Sequence, residues 1–267
     1  MWNDAVDLRD FYRTSLGQMA RRIIRARIRA MWPDVSRMTV LGLGYATPYL
    51  LPFADEAERV LATMPAQQGV LHWPVEGPGR VALADETELP LPDVSVDRVL
   101  LVHGLECSEQ LRPMLREIWR ILADGGRVLC VVPNRRGIWA RLDRTPFGHG
   151  HPYTPSQLSR LLRDTLFTPT QTAAALFVPP SRSRMMIASA PAWEQIGPRW
   201  FQTVAGVLLV EAGKQIYAAT PEIAPARGRR RYVQISPTAK RVPTEGQAGR
   251  GCLIPGTAGT GPARRSG

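Results

Sequence analysis

The run Arg127-Val-Leu-Cys-Val-Val132 is apolar at every position after its arginine. Side chains alternate between the two faces of a strand, so such a run is stable only where both faces are covered. It belongs inside a sheet with helices on either side. Further strand-like runs lie at 38–44, 58–64, 80–85, 96–102, 172–178 and 204–210, the last extending toward Tyr217. Between them, Gln110–Leu122 reads as an amphipathic helix with Leu111, Met114, Leu115, Ile118, Ile121 and Leu122 on one side, stopped by Gly125-Gly126. Thr154-Pro-Ser-Gln157 is a capping box that opens a helix over 156–166. Thr47-Pro48 reads as a helix cap followed by proline at the first helical position. Strands alternating with helices predict an α/β fold, a doubly wound, mainly parallel sheet with helices on both faces.

Two segments flank this pattern. In residues 1–36, Leu8, Phe11, Tyr12, Leu16, Met19, Ile23, Ile28 and Met31 share one helical face, predicting a single N-terminal helix ended by Trp32-Pro33-Asp34. Seven arginines between Arg9 and Arg29 fill the rest, either as a solvated face or as a surface for acidic lipid or RNA. At the other end, residues 225–267 hold nine bases and one acid and few large apolar residues. Such a composition cannot offset the cost of ordering the backbone, so 221–267 is expected to be a disordered basic tail, with the central domain at 37–220. That tail could contact nucleic acid or anionic membrane. The whole chain carries +11, but nearly all its bases are arginine, and that bias by itself is a poor sign of a nucleic-acid partner.

Several classes are excluded by what is missing. No apolar stretch reaches the roughly 20 residues of a membrane span, and the acidic first ten residues do not resemble a secretory leader. Cys107, Cys130 and Cys252 form no C-x-x-C pair, which argues against a disulfide framework and against a metal site. A reducing cytoplasm is the expected setting. The chain has no Tyr-x-x-x-Lys pair, which disfavours a nicotinamide-dependent reductase.

Gly42-Leu-Gly44-Tyr45-Ala46 ends the first strand, where small residues allow a ligand to approach the backbone. Thr47 stands where a dinucleotide loop of the G-x-G-x-x-G kind would place glycine or alanine. The stretch Asp85-Glu-Thr-Glu-Leu-Pro-Leu-Pro-Asp-Val-Ser-Val-Asp-Arg-Val99, with Arg120-Ile-Leu-Ala-Asp-Gly-Gly-Arg-Val-Leu129, resembles the class I S-adenosylmethionine-dependent methyltransferases. The resemblance covers residues 38–166 and implies a Rossmann-like sheet with S-adenosylmethionine as cofactor. It implies that Gly42, Gly44, Tyr45 and Ala46 line the methionine and ribose, and that Asp85, with Glu86 beside it, lies by the adenine. It places His103, followed by Gly104-Leu-Glu106, at the border of the methyl-donor site. Asp85 could instead cap a turn, and His103 could be a hydrogen-bonded loop histidine.

The chain also departs from that family. Strand two runs into Met64-Pro-Ala-Gln-Gln68, with no carboxylate where the family holds the ribose hydroxyls, and Asp124 replaces the usual proline of the turn before strand five. Gln67 or a main-chain group is the uncharged substitute that the sequence offers there. The loop Pro133–Tyr153 holds Arg135, Arg136, Arg141, Arg144, His149, His151 and Trp139 on the side where substrate enters. No residue is fixed as catalytic; His103, His149 and His151 are the candidate bases. The expected function is methyl transfer to an unidentified acceptor, a small molecule. The alternative is a non-catalytic relative that binds the cofactor or a partner.

Overall fold

The computed structural model describes residues 4–200 and 202–215. Its centre is a seven-stranded sheet of order β3-β2-β1-β4-β5-β7-β6. The strands are β1 (Thr39–Gly44), β2 (Arg59–Pro65), β3 (Val81–Ala84), β4 (Val96–Val102), β5 (Leu122–Pro133), β6 (Phe167–Ala175) and β7 (Val207–Lys214). The first five pair in parallel, and β7 runs antiparallel to both β5 and β6. The chain order reverses between β1 and β4, which opens a crevice at their carboxyl ends.

Alternation within the strands builds two cores. Val40, Leu100, Val102, Leu129 and Val131 face one side of the sheet, against helices α1 (Ala5–Arg13), α2 (Ser15–Met31) and the short α3 (Thr47–Leu50). Leu41, Leu43, Val99, Leu101, Val128, Cys130 and Val132 face the other, against α4 (Leu111–Ile121) and α5 (Pro155–Asp164). The apolar run of β5 is buried on both faces, as its sequence requires. Helix α5 opens on the predicted capping box, with the Thr154 side chain accepting from Gln157 N and the Gln157 side chain accepting from Thr154 N.

The N-terminal segment is two helices, not one. Thr14 is extended (φ −68°, ψ 157°); its hydroxyl donates to Phe11 O and accepts from Gly17 N, ending one helix and starting the next. Gly17 is required there, because a Cβ would stand 2.1 Å from Phe11 O. Other local expectations are also corrected. Ala46, not Thr47, is the N-cap of α3, and Thr47 is buried without capping. Helix α4 ends because Leu122 turns extended, and Gly125-Gly126 lies in a bulge of β5, where Val96 pairs with Leu122 and Arg98 with Arg127. Strand β6 starts at Phe167, and β7 ends at Lys214. Helices α6 (Arg184–Ala188) and α7 (Ala190–Trp200) had no clear periodicity in the sequence. The expected tail at 221–267 and the boundary near Thr220 lie outside the described residues. Among those described, no helix is long and apolar enough to cross a membrane.

The N-terminal helices are tied to the far side of the sheet by one buried carboxylate. Glu211 of β7, 2% exposed, accepts from Trp32 Nε1 (2.9 Å), Arg127 Nη1 (3.0 Å) and Thr170 Oγ1 (2.9 Å). Glu211→Leu leaves the buried Trp32 Nε1 without an acceptor, whereas Arg127 is nearly half exposed and Thr170 Oγ1 keeps the Glu211 main-chain oxygen, and urea unfolding should show a loss of about 1–3 kcal/mol. Thr154→Ala, which removes only a cap, should cost about 1 kcal/mol in the same measurement.

Candidate active site

The carboxyl ends of β1 and β4 meet at two glycines. Gly44 has φ +75°, and a Cβ on it would lie 2.4 Å from Val102 O and 3.1 Å from Gly104 Cα. Only glycine allows that approach. His103 follows β4 in the left-handed region (φ 50°), which turns its side chain inward, where it is 3% exposed. Gln68, beyond β2, donates from Nε2 to His103 O (2.9 Å), and its main-chain carbonyl accepts from Ala5 N of α1 (2.8 Å).

These strand ends enclose a cavity of about 50 Å3, lined by Pro65, Gln67, Gln68, Glu86, His103, Gly104 and Cys107. Glu86 accepts from Ser108 Oγ. Gln68 Oε1 and Glu106 Oε2 are buried with no hydrogen-bond partner. Burial, with Glu106 and Glu86 nearby, pushes the Cys107 thiol well up, so it stays protonated at neutral pH and is no nucleophile.

On the other side of His103 lies an aromatic cluster. Tyr12 of α1 approaches His103 Nε2 with its hydroxyl (2.8 Å), and Glu106 Oε1 lies 3.1 Å from Nδ1. Tyr49 donates its hydroxyl to that of Tyr12 (2.8 Å). Tyr45 stacks on the Tyr12 ring (centroids 5.8 Å apart, 11° between planes), and Phe147 lies 5.0 Å from the His103 ring. Burial raises the phenols of Tyr12 and Tyr49 well above their usual range and that of Tyr45 to about 12, so all three are neutral donors at physiological pH.

The residues singled out from sequence are thus divided. Gly44, Glu86 and His103 converge on the crevice. Gly42 packs against α3, where a Cβ would meet Leu50 Cδ1 at 2.6 Å, and Ala46 is fully buried beside it. Tyr45 faces Tyr12. Asp85 is exposed and caps a turn: its Oδ1 accepts from Thr87 N (2.8 Å) and Thr87 Oγ1 (2.7 Å), and these bonds hold its carboxyl below the usual range. His149 meets Asp143 O through Nε2 (2.8 Å), and His151 anchors its loop by its backbone N–H on Glu106 O (2.8 Å). Among the described residues, no His, Cys, Asp and Glu cluster could hold a metal ion. Tyr12, Tyr49 and Phe147 were not picked out as site residues. Their sequence signal was that of ordinary core aromatics, and Tyr12 reaches a histidine 91 residues away.

Residues 41–130 match the methyltransferase domain family. A ubiquinone/menaquinone biosynthesis C-methyltransferase of Rubrivivax gelatinosus is 29% identical over 136 residues, which span 50% of this chain and 52% of that one. The chain therefore aligns with about half the length of that curated relative. Among solved structures, a SAM-dependent methyltransferase of Thermotoga maritima matches with a TM-score of 0.55 at 15% identity, over 80% of this chain and all of that one. A SAM-dependent methyltransferase of Archaeoglobus fulgidus matches at 0.51 and 17%, over 73% of this chain and 94% of that one. The cyclase SpnF matches at 0.51 and 21%, over 77% of this chain and 84% of that one. These likenesses are of fold. With the sheet order, the crevice at β1 and β4 and the matched stretch, they give the class: the chain carries a class I S-adenosylmethionine-dependent methyltransferase domain. The cofactor of that class is S-adenosylmethionine.

The chemistry of the crevice fits that cofactor. Glu86 and the unpartnered Gln68 Oε1 are acceptors for a ligand's hydroxyl and amino groups, and the two glycines keep the floor clear of side chains. The space does not yet fit, since ligand pockets run to about 300–1,000 Å3. Helix α1 is hydrogen-bonded to two of the residues that line it, Gln68 and His103.

Gly44→Val should lower folding stability as well as cofactor affinity. Its side chain would meet the Val102 carbonyl in a backbone conformation that costs an L-residue about 1–2 kcal/mol before any clash. Thermal denaturation of the variant against the parent checks this, and an unchanged midpoint would contradict the close packing of β1 on β4.

Proposed function

We propose that this chain transfers a methyl group from S-adenosylmethionine to a small-molecule acceptor. One observation carries the reading: the ends of four adjacent parallel strands bring Gly44, Gln68, Glu86, His103 and Gly104 around a single crevice at the point where the strand order reverses. Support for a small acceptor comes from the Rubrivivax relative, whose name assigns it to quinone biosynthesis.

The bound cofactor supplies an electrophilic methyl group on a sulfonium sulfur. In this reading the protein holds and shields. Glu86 and Gln68 bind the nucleoside by charged and neutral hydrogen bonds. The loop 133–153, pinned by Trp139 Nε1 on Val178 O (2.8 Å) and by His151 N on Glu106 O, excludes water from the acceptor side. His103 is the one candidate base that lines the crevice. The absence of a carboxylate at the end of β2 favours a second reading, a relative that binds cofactor without turnover.

Calorimetric titration with S-adenosylhomocysteine tests the first step of both readings. Glu86→Gln should weaken binding by about 1–3 kcal/mol, the scale of a hydrogen bond to a charged group, while Asp85→Ala should leave affinity unchanged. Absence of binding to the folded parent protein would defeat both readings. Binding with no methyl transfer to any component of a cell extract would favour the second.

A further inference from the structure

Helices α6 and α7 form one nearly continuous helix. Ser189, between them, keeps helical backbone angles (φ −78°, ψ −6°); its N–H donates to Met185 O (3.0 Å) and its carbonyl accepts from Trp193 N (3.3 Å). The inner side of this helix belongs to the core: Ala190 and Gly197 are buried, and Met186, Ile187 and Trp193 pack against the cluster that holds α1 and α2. The outer side is apolar as well. Met185, Ala192, Ile196 and Trp200 fall on one face by the helical period, and all four are exposed, Met185 and Trp200 to 77% and Ile196 to 52%. Apolar residues on both sides are why the sequence of this segment shows no clear period. A helix of that kind belongs inside a protein or against a partner, and here its second side faces outward.

From 185 to 198 the only charged residue is Glu194, which is half-buried and accepts from Phe177 N through Oε1 (2.7 Å). Positive charge stands at the ends of the stripe instead, with Arg182 and Arg184 before it and Arg199 at its close, all exposed. Arg184 also lines, with Arg22 and Arg27 of α2, a cavity of about 700 Å3 whose walls include Met19, Ile23 and Ile187. None of these three arginines forms a salt bridge among the described residues.

We propose that this surface docks the protein on an anionic bilayer, with α6 and α7 lying in the plane of the headgroups. Met185, Ile196 and Trp200 enter the boundary between headgroups and acyl chains, and Arg182, Arg184 and Arg199 meet lipid phosphates. A tryptophan ring suits that boundary, and arginine stems lie along an apolar phase while their heads stay with the phosphates. No described helix is long and apolar enough to cross a membrane, so the contact is in-plane. Other occupants fit less well. A second copy laid antiparallel would set the Arg184 end of one stripe against the Arg199 end of the other, like charge on like. Residues 225–267, with nine bases and one acid, carry the same sign as the groove. Nucleic acid supplies phosphates but no apolar phase for Met185 and Ile196.

The test is flotation of the full-length protein with vesicles of equal parts phosphatidylcholine and phosphatidylglycerol. Ile196→Ser/Trp200→Ser should weaken binding at least about tenfold, the scale of one large side chain kept out of water. The same variant should keep the parent's melting midpoint, because both side chains are already exposed. Arg182→Ala/Arg184→Ala should weaken binding about tenfold or more at low salt, and less as salt rises. Lipids brominated on their acyl chains should quench part of the parent's tryptophan emission, and that part should be missing in Trp200→Phe, which still binds. Quenching that is unchanged in Trp200→Phe overturns the proposal, as does a parent protein that binds no vesicles. Binding that salt abolishes and Ile196→Ser/Trp200→Ser leaves intact overturns it too, since charge alone then suffices. A parent that is dimeric without vesicles, and monomeric in that variant, overturns it in favour of a second copy.

Discussion

The contact of β1 with β4 at Gly44 and Gly104 is what the rest of this structure hangs on. Two strands adjacent in the sheet but distant in sequence must end at the same height, with no side chain between them, for a crevice to open at the reversal of strand order. The left-handed turn at Gly44 leads the chain into α3, and the left-handed turn at His103 aims the imidazole into the crevice. Gln68 and Glu86 then arrive from β2 and β3 because those strands are paired in register outward from β1.

Helix α1 is part of this site as well as part of the core. Its apolar face, Leu8, Phe11 and Tyr12, is buried like that of any amphipathic helix, but Tyr12 carries a hydroxyl into the polar centre. A buried hydroxyl without a partner is costly, and so is a buried histidine; each satisfies the other. The bond from Ala5 N to Gln68 O adds a second tie between the helix and the crevice.

Fold and chemistry are separate conclusions here. A protein named as a cyclase shares this architecture as well as proteins named as methyltransferases do, so the sheet alone does not choose a reaction. The choice comes from the side chains at the strand ends. This chain has replaced the acid expected after β2 with uncharged Gln67 and Gln68 and has set a Glu–His–Tyr chain beside β4.

The sequence by itself determined the doubly wound sheet, the burial of β5 on both faces, the capping box of α5 and the glycine at the end of β1. Each of these is local: a period, a cap or a conformation that only certain residues adopt, and local preferences are written in adjacent residues. Only the tertiary structure decided that Glu86 rather than Asp85 faces the crevice, because the choice depends on Asp85 spending its carboxylate on Thr87 in the turn after β3. It alone joined Tyr12 to His103 and Trp32 to Glu211, partners 91 and 179 residues apart. Periodicity tells which face of an element is buried but not which partner waits there, and the partner decides whether a buried tyrosine is core or site.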